Sequence, residues 1–298
     1  MSKKIMAIGG GNIGECENNI IMPYEMEVFD REIIDISDSP YPNILFIGFA
    51  DPENMFTYFY YFKNNFVKLF NCNCKLIELS DLSNKPKISD LFDWADVVYI
   101  GGGNLYTLIN IINKFQIEDN LLKAYKEGKV MCGNSAGGMC WFKYGNTVNP
   151  NNKEVLIKQK CLGIKNMVFS PHCDEINGHF ENVENLIYED NLVGISLSNC
   201  CAIEIIDNKF KFISSSFDRY KIKPFGIRSF WKNEKYVIEN IELTSDYNDL
   251  ERLIKPEKLY YSEIEDDVKR LLKRRNIYFK WKCKELNVLF FICFNKFK

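Results

Sequence analysis

The stretch Val130-Met131-Cys132-Gly133-Asn134-Ser135-Ala136-Gly137-Gly138-Met139-Cys140 decides how this chain reads. An apolar run enters a serine flanked by small residues, and a segment able to form a helix leaves it. Gly133-x-Ser135-x-Gly137 matches the nucleophile-elbow pattern, in which a sharp strand-to-helix turn exposes a serine hydroxyl at the end of a sheet. Small neighbours let substrate and backbone approach closely. The amides that open the following helix face the place where an oxyanion forms. An elbow of this kind needs a parallel sheet to stand on.

The surrounding sequence supplies one. Lys4 to Ile8, Ile44 to Phe49, Leu76 to Leu79, Asp96 to Ile100 and Val130 to Gly133 are short, continuous apolar runs. Between them lie stretches with helical spacing, Met55 to Phe70 and Ile117 to Lys126 among them. Strands apolar on both sides, separated by helices, predict a mostly parallel sheet in a three-layer α/β/α fold. Further on, Met167 to Phe169 and Gly194 to Leu197 read as strands, and Phe180 to Glu189 as a helix. Ala202 to Ile206 and Lys211 to Ser214 read as an antiparallel hairpin about Asp207-Asn208.

A serine nucleophile needs a base, and the chain has only two histidines. His172, in Phe169-Ser170-Pro171-His172, follows a predicted strand and would arrive at the sheet edge that presents Ser135, where open α/β sheets bind ligands. His179 opens the predicted helix and suits a capping or surface role. A metal site from His172, Cys173, Asp174, Glu175 and His179 has suitable ligand types, but neighbouring residues at a strand end point apart, so no metal is expected. Gly101-Gly102-Gly103-Asn104 ends the strand before the elbow. Glycines there turn amides toward a ligand with no side chain in the way. One such amide together with that of Ala136 would form an oxyanion hole.

Taken together, Gly101 to Asn104, Gly133 to Gly137 and Ser170-Pro171-His172 resemble the dipeptidase E and cyanophycinase family of serine peptidases, peptidase family S51. Ala7 to Gly11, Phe29 to Ile33 and Trp141 to Gly145 agree, so the resemblance runs over about residues 4 to 235. It implies a class I glutamine amidotransferase-like fold, Ser135 as nucleophile, His172 as base, the amides of Gly103 and Ala136 as oxyanion hole with Gly102 and Asn104 touching substrate, and small peptide substrates, aspartyl dipeptides among them. The family's third catalytic residue is an acid shortly after a late strand. The matching segment here, Leu197-Ser198-Asn199-Cys200-Cys201, has none. Asn199 takes the position, as in Cys-His-Asn proteases, with Glu204 or Asp174 as substitutes. The loop from Tyr144 to Asn152 also lacks the carboxylate with which dipeptidase E resembles a holder of its substrate's amino terminus.

Other readings compete. Gly9-Gly10-Gly11-Asn12-Ile13-Gly14 satisfies the dinucleotide fingerprint of an oxidoreductase, yet Cys16 to Tyr24 has no helical stripe to follow it. A catalytically weak relative acting as a sensor or binding protein would explain the missing acid. A cysteine-dependent amidotransferase through Cys132 ranks last, because that residue lies in the strand body.

The chain has 298 residues, 46% hydrophobic and 26% charged, with 38 basic and 40 acidic side chains. That composition excludes a disordered chain and gives no basic excess for nucleic acid. Eleven scattered cysteines, an odd number, fit reduced thiols and a cytoplasmic location rather than a disulfide framework. No apolar run reaches membrane-spanning length. The expected partners are a small peptide and, in a homodimer, a second copy; no cofactor is expected. The peptidase-like domain is expected over residues 1–243, with a charged, partly helical extension over 244–298. From Lys269 onward that extension carries ten Lys or Arg against one acid, Glu285.

Overall fold

The computed structural model describes residues 1–17, 20–149, 152–175, 180, 182–216, 222–260 and 262–272. His179 and the basic run beyond residue 272 lie outside them. The chain opens with β1 (Lys4–Ile8), a small hairpin of β2 (Cys16–Glu17) and β3 (Ile20–Ile21), and α1 (Glu27–Asp35). Next come β4 (Asn43–Ile47), α2 (Met55–Phe70), β5 (Asn73–Ile77), α3 (Lys85–Trp94), β6 (Val97–Ile100), α4 (Leu105–Phe115) and α5 (Glu118–Lys126). The elbow region holds β7 (Val130–Asn134) and the one-turn α6 (Ala136–Met139). It is followed by β8 (Phe142–Asn149), β9 (Asn152–Lys160), β10 (Lys165–Ser170), α7 (Val183–Tyr188) and β11 (Gly194–Leu197). The remainder is β12 (Cys201–Ile206), β13 (Lys209–Ser214), β14 (Gly226–Lys232), β15 (Lys235–Asn240), β16 (Asn248–Asp249) and α8 (Leu250–Ile254).

The first sheet runs β16-β13-β12-β1-β7-β6-β4-β5. Its five strands from β1 to β5 are parallel, and β12, β13 and β16 add on antiparallel. Burial on both faces explains why β1, β4, β6 and β7 are almost wholly apolar. Alternate residues of each strand serve opposite layers. Met6, Phe46 and Tyr99 pack against Phe29 of α1 and Phe62 and Phe66 of α2. Ile5, Leu45 and Val98 pack on the other side with Phe92 of α3, Leu108 of α4 and Leu121 of α5. This is the expected three-layer α/β arrangement.

A second sheet, β15-β14-β11-β10-β8-β9, accompanies the first. The sequence predicts two of its strands, β10 and β11, and would set β10 in the main sheet beside the elbow, whereas both lie in this second sheet. Trp141, Phe142, Phe169 and Ile195 carry this sheet into the core shared with α3 to α5. Its strand β14 contains the fully buried Arg228, whose Nη1 meets Glu239 Oε2 at 2.6 Å. The same guanidinium donates to the carbonyls of Leu253, Lys255 and Glu257. It thereby ties the segment after α8 to β14, while Leu250 and Leu253 enter the core. Residues 266–272 are helical. Among the described residues no helix is long and apolar enough to cross a membrane.

Candidate active site

Four strand ends meet at one edge. Ser135 follows β7 with φ 53° and ψ −113°, a conformation that costs a non-glycine residue about 1–3 kcal/mol. Two glycines make it possible. A Cβ on Gly133 would lie 2.5 Å from the Gly137 carbonyl, and one on Gly137 would overlap the Ile100 carbonyl. His172 and Cys200 also take positive φ, 52° and 62°. Strained backbone thus gathers at this edge.

Three consecutive carbonyls at the end of β1 hold the three loops in register. Ile8 O accepts from Ser135 N at 3.0 Å, Gly9 O from His172 N at 2.9 Å, and Gly10 O from Cys200 N at 2.9 Å. Gly10 itself has φ 135°, and a Cβ there would overlap Asn199 Oδ1 and lie 2.5 Å from His172 Cε1. The glycine run that resembles a dinucleotide fingerprint is therefore the floor under a histidine–asparagine pair. The hairpin β2–β3, rather than a phosphate-binding helix, follows it.

His172 Nε2 is 2.9 Å from Ser135 Oγ, and Nδ1 is 3.0 Å from Asn199 Oδ1. The surroundings fix the tautomer. Asn199 Nδ2 donates to both oxygens of Asp174, at 3.0 and 3.1 Å, and to Glu175 Oε1 at 2.9 Å. Carboxylates only accept, so the NH2 group must face them and Oδ1 must face the imidazole. Nδ1 then carries the proton, and Nε2 is left to accept one from the serine. Asn199 N also donates to Asp174 Oδ1 at 2.8 Å, so Asp174 clamps the residue from two sides. Glu175 Oε1 lies 3.3 Å from Nδ1 and is placed to pair with the imidazolium.

The other expected residues fall as follows. Gly102 lines the cavity beside Ser135, and Gly103, with φ 139°, sits where a Cβ would strike the Ala50 carbonyl at 2.5 Å. Ala136 opens α6 directly after the nucleophile. Asn104 is put to another use: its Oδ1 accepts from Thr107 N at 3.0 Å and caps α4, so the expected substrate contact gives way to a structural one. Glu204 is not the third member. It lies fully buried in β12 opposite Met6, with Oε1 held by Tyr247 and Lys211. Asp174 does not replace Asn199 either, but stands behind it. Cys132 Sγ is turned to the Val98 carbonyl at 3.5 Å, and burial pushes its thiol well above the ordinary range, which leaves it a poor nucleophile.

Sequence reading missed two contributors. Glu175 appeared in it only as a metal ligand, because nothing local shows that the chain after His172 curls back to meet Nδ1. Tyr58 comes from α2. Its hydroxyl hydrogen-bonds the Asn134 side chain and the Gly102 backbone at the cavity wall, and burial raises its phenol. The aromatic spacing of α2 signals core packing and conceals this polar tip.

The cavity has a volume of about 570 Å³ and opens over Ser135 and His172. A polarised serine, an oriented base and nearby glycine amides are equipped for acyl transfer.

The chain is similar to known peptidases. The family model for peptidase family S51 matches residues 5–213. An uncharacterized peptidase of Bacillus subtilis (strain 168), YgaJ, is 30% identical over 220 residues, covering 72% of this chain and 88% of the relative. Among solved structures, a peptidase from an acI-B1 actinobacterium superposes with a TM-score of 0.60 at 14% identity, covering 83% of this chain and 96% of the other. A putative peptidase E from Listeria monocytogenes EGD-e superposes with a TM-score of 0.54 at 15% identity, covering 72% and 100%. These two support the fold.

Proposed function

The chain belongs to peptidase family S51, and from that premise we propose that it is a serine-type peptidase hydrolysing small peptides through Ser135 and His172. The observation that carries this reading is the relay from Ser135 Oγ through the imidazole to Asn199 Oδ1, 2.9 Å on one side and 3.0 Å on the other.

Ser135 Oγ attacks the scissile carbonyl while its proton passes to His172 Nε2. The developing oxyanion is received by the amides of Gly103 and Ala136. His172 returns the proton to the leaving amine, and water, activated by the same nitrogen, clears the acyl-enzyme. Asn199 keeps Nδ1 protonated and the ring aligned but brings no charge. Glu175 and Asp174, next to the imidazole and the amide respectively, supply the negative field that an acid in the third position provides elsewhere.

The test is turnover of a dipeptide panel by the parent protein and by Ser135→Ala, together with labelling by a serine-reactive fluorophosphonate. Labelling of the parent at Ser135, and a loss of about 10⁴-fold or more in the variant, supports the assignment. Equal turnover by both would place the nucleophile elsewhere. Neither labelling nor turnover would leave a binding protein.

A further inference from the structure

The walls of the cavity carry a consistent sign. Besides His172, the acidic side chains among its described lining residues are Glu15, Asp51 and Glu175, and no lysine or arginine is among them. Each carboxylate is fixed in place. Glu15 Oε2 accepts from Ile13 N at 2.7 Å, and Asp51 Oδ2 accepts from Asn54 Nδ2 at 3.0 Å. Asp51 also adjoins the expected oxyanion site, since a Cβ on Gly103 would lie 2.9 Å from its backbone nitrogen.

A second observation points the same way. Asn134, the residue before the nucleophile, lines this cavity and is 8% exposed, and its Oδ1 has no hydrogen-bond partner among the described residues. With its amide nitrogen engaged by Tyr58, the oxygen lies under the cavity wall as an acceptor without a donor. Its partial negative charge is left uncompensated beside the carboxylates. Carboxylates and an orphan carbonyl oxygen all ask for hydrogen-bond donors, preferably cationic ones. An aspartyl side chain would instead bring a fourth negative charge into a partly desolvated site with no described cation to meet it.

We infer that this cleft selects peptides carrying a basic side chain at a residue flanking the cut bond, and disfavours the aspartyl peptides that the resemblance implies. The inference rests on the peptidase reading for its kinetic test and stands apart from it for its binding test.

Lys-Ala, Ala-Lys, Ala-Ala and Asp-Ala are compared in kcat/KM with the parent protein, and in Kd by calorimetry with Ser135→Ala, which holds peptides uncut. The expected result is that one lysyl peptide exceeds both Ala-Ala and Asp-Ala by about tenfold or more. In the double variant Glu15→Gln/Asp51→Asn the lysyl-to-alanyl ratio should fall toward one. Asp-Ala preferred, or all four peptides equal, overturns the inference while leaving the peptidase reading intact. Tight lysyl binding to Ser135→Ala with no cleavage by the parent supports the inference and counts against the peptidase reading. No binding of any peptide overturns the inference.

Discussion

Two buried acid networks flank β12, and they teach opposite lessons. At its entry, Asp174 and Glu175 surround the Asn199 amide, and their charge is delivered to an imidazole facing a cavity. Within the strand, Glu204 is sealed among Tyr247, Lys211 and Glu32, fully buried, with Oε2 unpartnered. Glu204 is the residue type the triad asks for, and Asn199 has the position. Position wins, because β12 pairs with β1 along its length and only the turn before it reaches the strand-end edge.

That contrast can be broken at graded cost. His172→Ala removes base and acid together, and peptidase turnover should fall about 10⁴-fold or more, read as kcat on the best peptide. Gly10→Ala should lose about 10²–10³-fold while the far-UV circular dichroism of the parent persists, because the added methyl displaces Asn199 and His172 without touching Ser135. Asn199→Asp is the more telling exchange. It introduces a carboxylate, but about 3 Å from Asp174 and with the hydrogen bonds that Asn199 donates to Asp174 and Glu175 gone. Activity should drop about tenfold or more rather than rise, with about 1–3 kcal/mol lost in urea unfolding. Full activity in Asn199→Asp would mean that Asp174 is not the clamp described above.

Glu204→Gln is the smallest effect and lies outside catalysis. Burial is the main cause that raises the Glu204 carboxyl to about 7, with Lys211 and Tyr247 opposing it. Because its folded value stands above its unfolded one, the folded state holds the proton more tightly. Stability is therefore unpenalised below about pH 4.5 and declines as pH climbs toward 7. Asp30, raised chiefly by burial to about 7 and bonded to Tyr24 at 2.5 Å, adds to the same decline. Glu204→Gln should flatten part of it, by about 1–2 kcal/mol between pH 5 and 7.5 in thermal or urea unfolding, with unchanged kcat.

Much of this architecture was written locally. β1, β4, β6 and β7 are apolar runs, α2 ends where its aromatic spacing ends, and the Asp207-Asn208 hairpin forms where the turn residues stand. The edge strand β5 instead spans Asn73–Ile77 with Asn73 and Lys75 exposed, so only Leu76 and Ile77 of the expected Leu76 to Leu79 strand lie in it. The elbow and its histidine were legible because their chemistry needs few residue types. The second sheet was hidden because β14 places Arg228 in the core, breaking the apolar run, and because β8 buries the polar Asn146 and Thr147, which dilutes its patterning. The roles of Gly10, Glu175 and Tyr58 were hidden for another reason. Each depends on a partner brought in by the fold, up to 189 residues away in the case of Gly10 and Asn199.

The three carbonyls of Ile8, Gly9 and Gly10 have a consequence for the life of the chain. The last of the loops they receive, at Cys200, lies 190 residues further along the chain than Gly10. Until that loop docks, His172 has its floor of glycines but not its partner Asn199. On the serine-peptidase reading proposed above, a half-folded copy therefore carries Ser135 without an oriented base, and the onset of hydrolysis would report that the loop at Cys200 has docked.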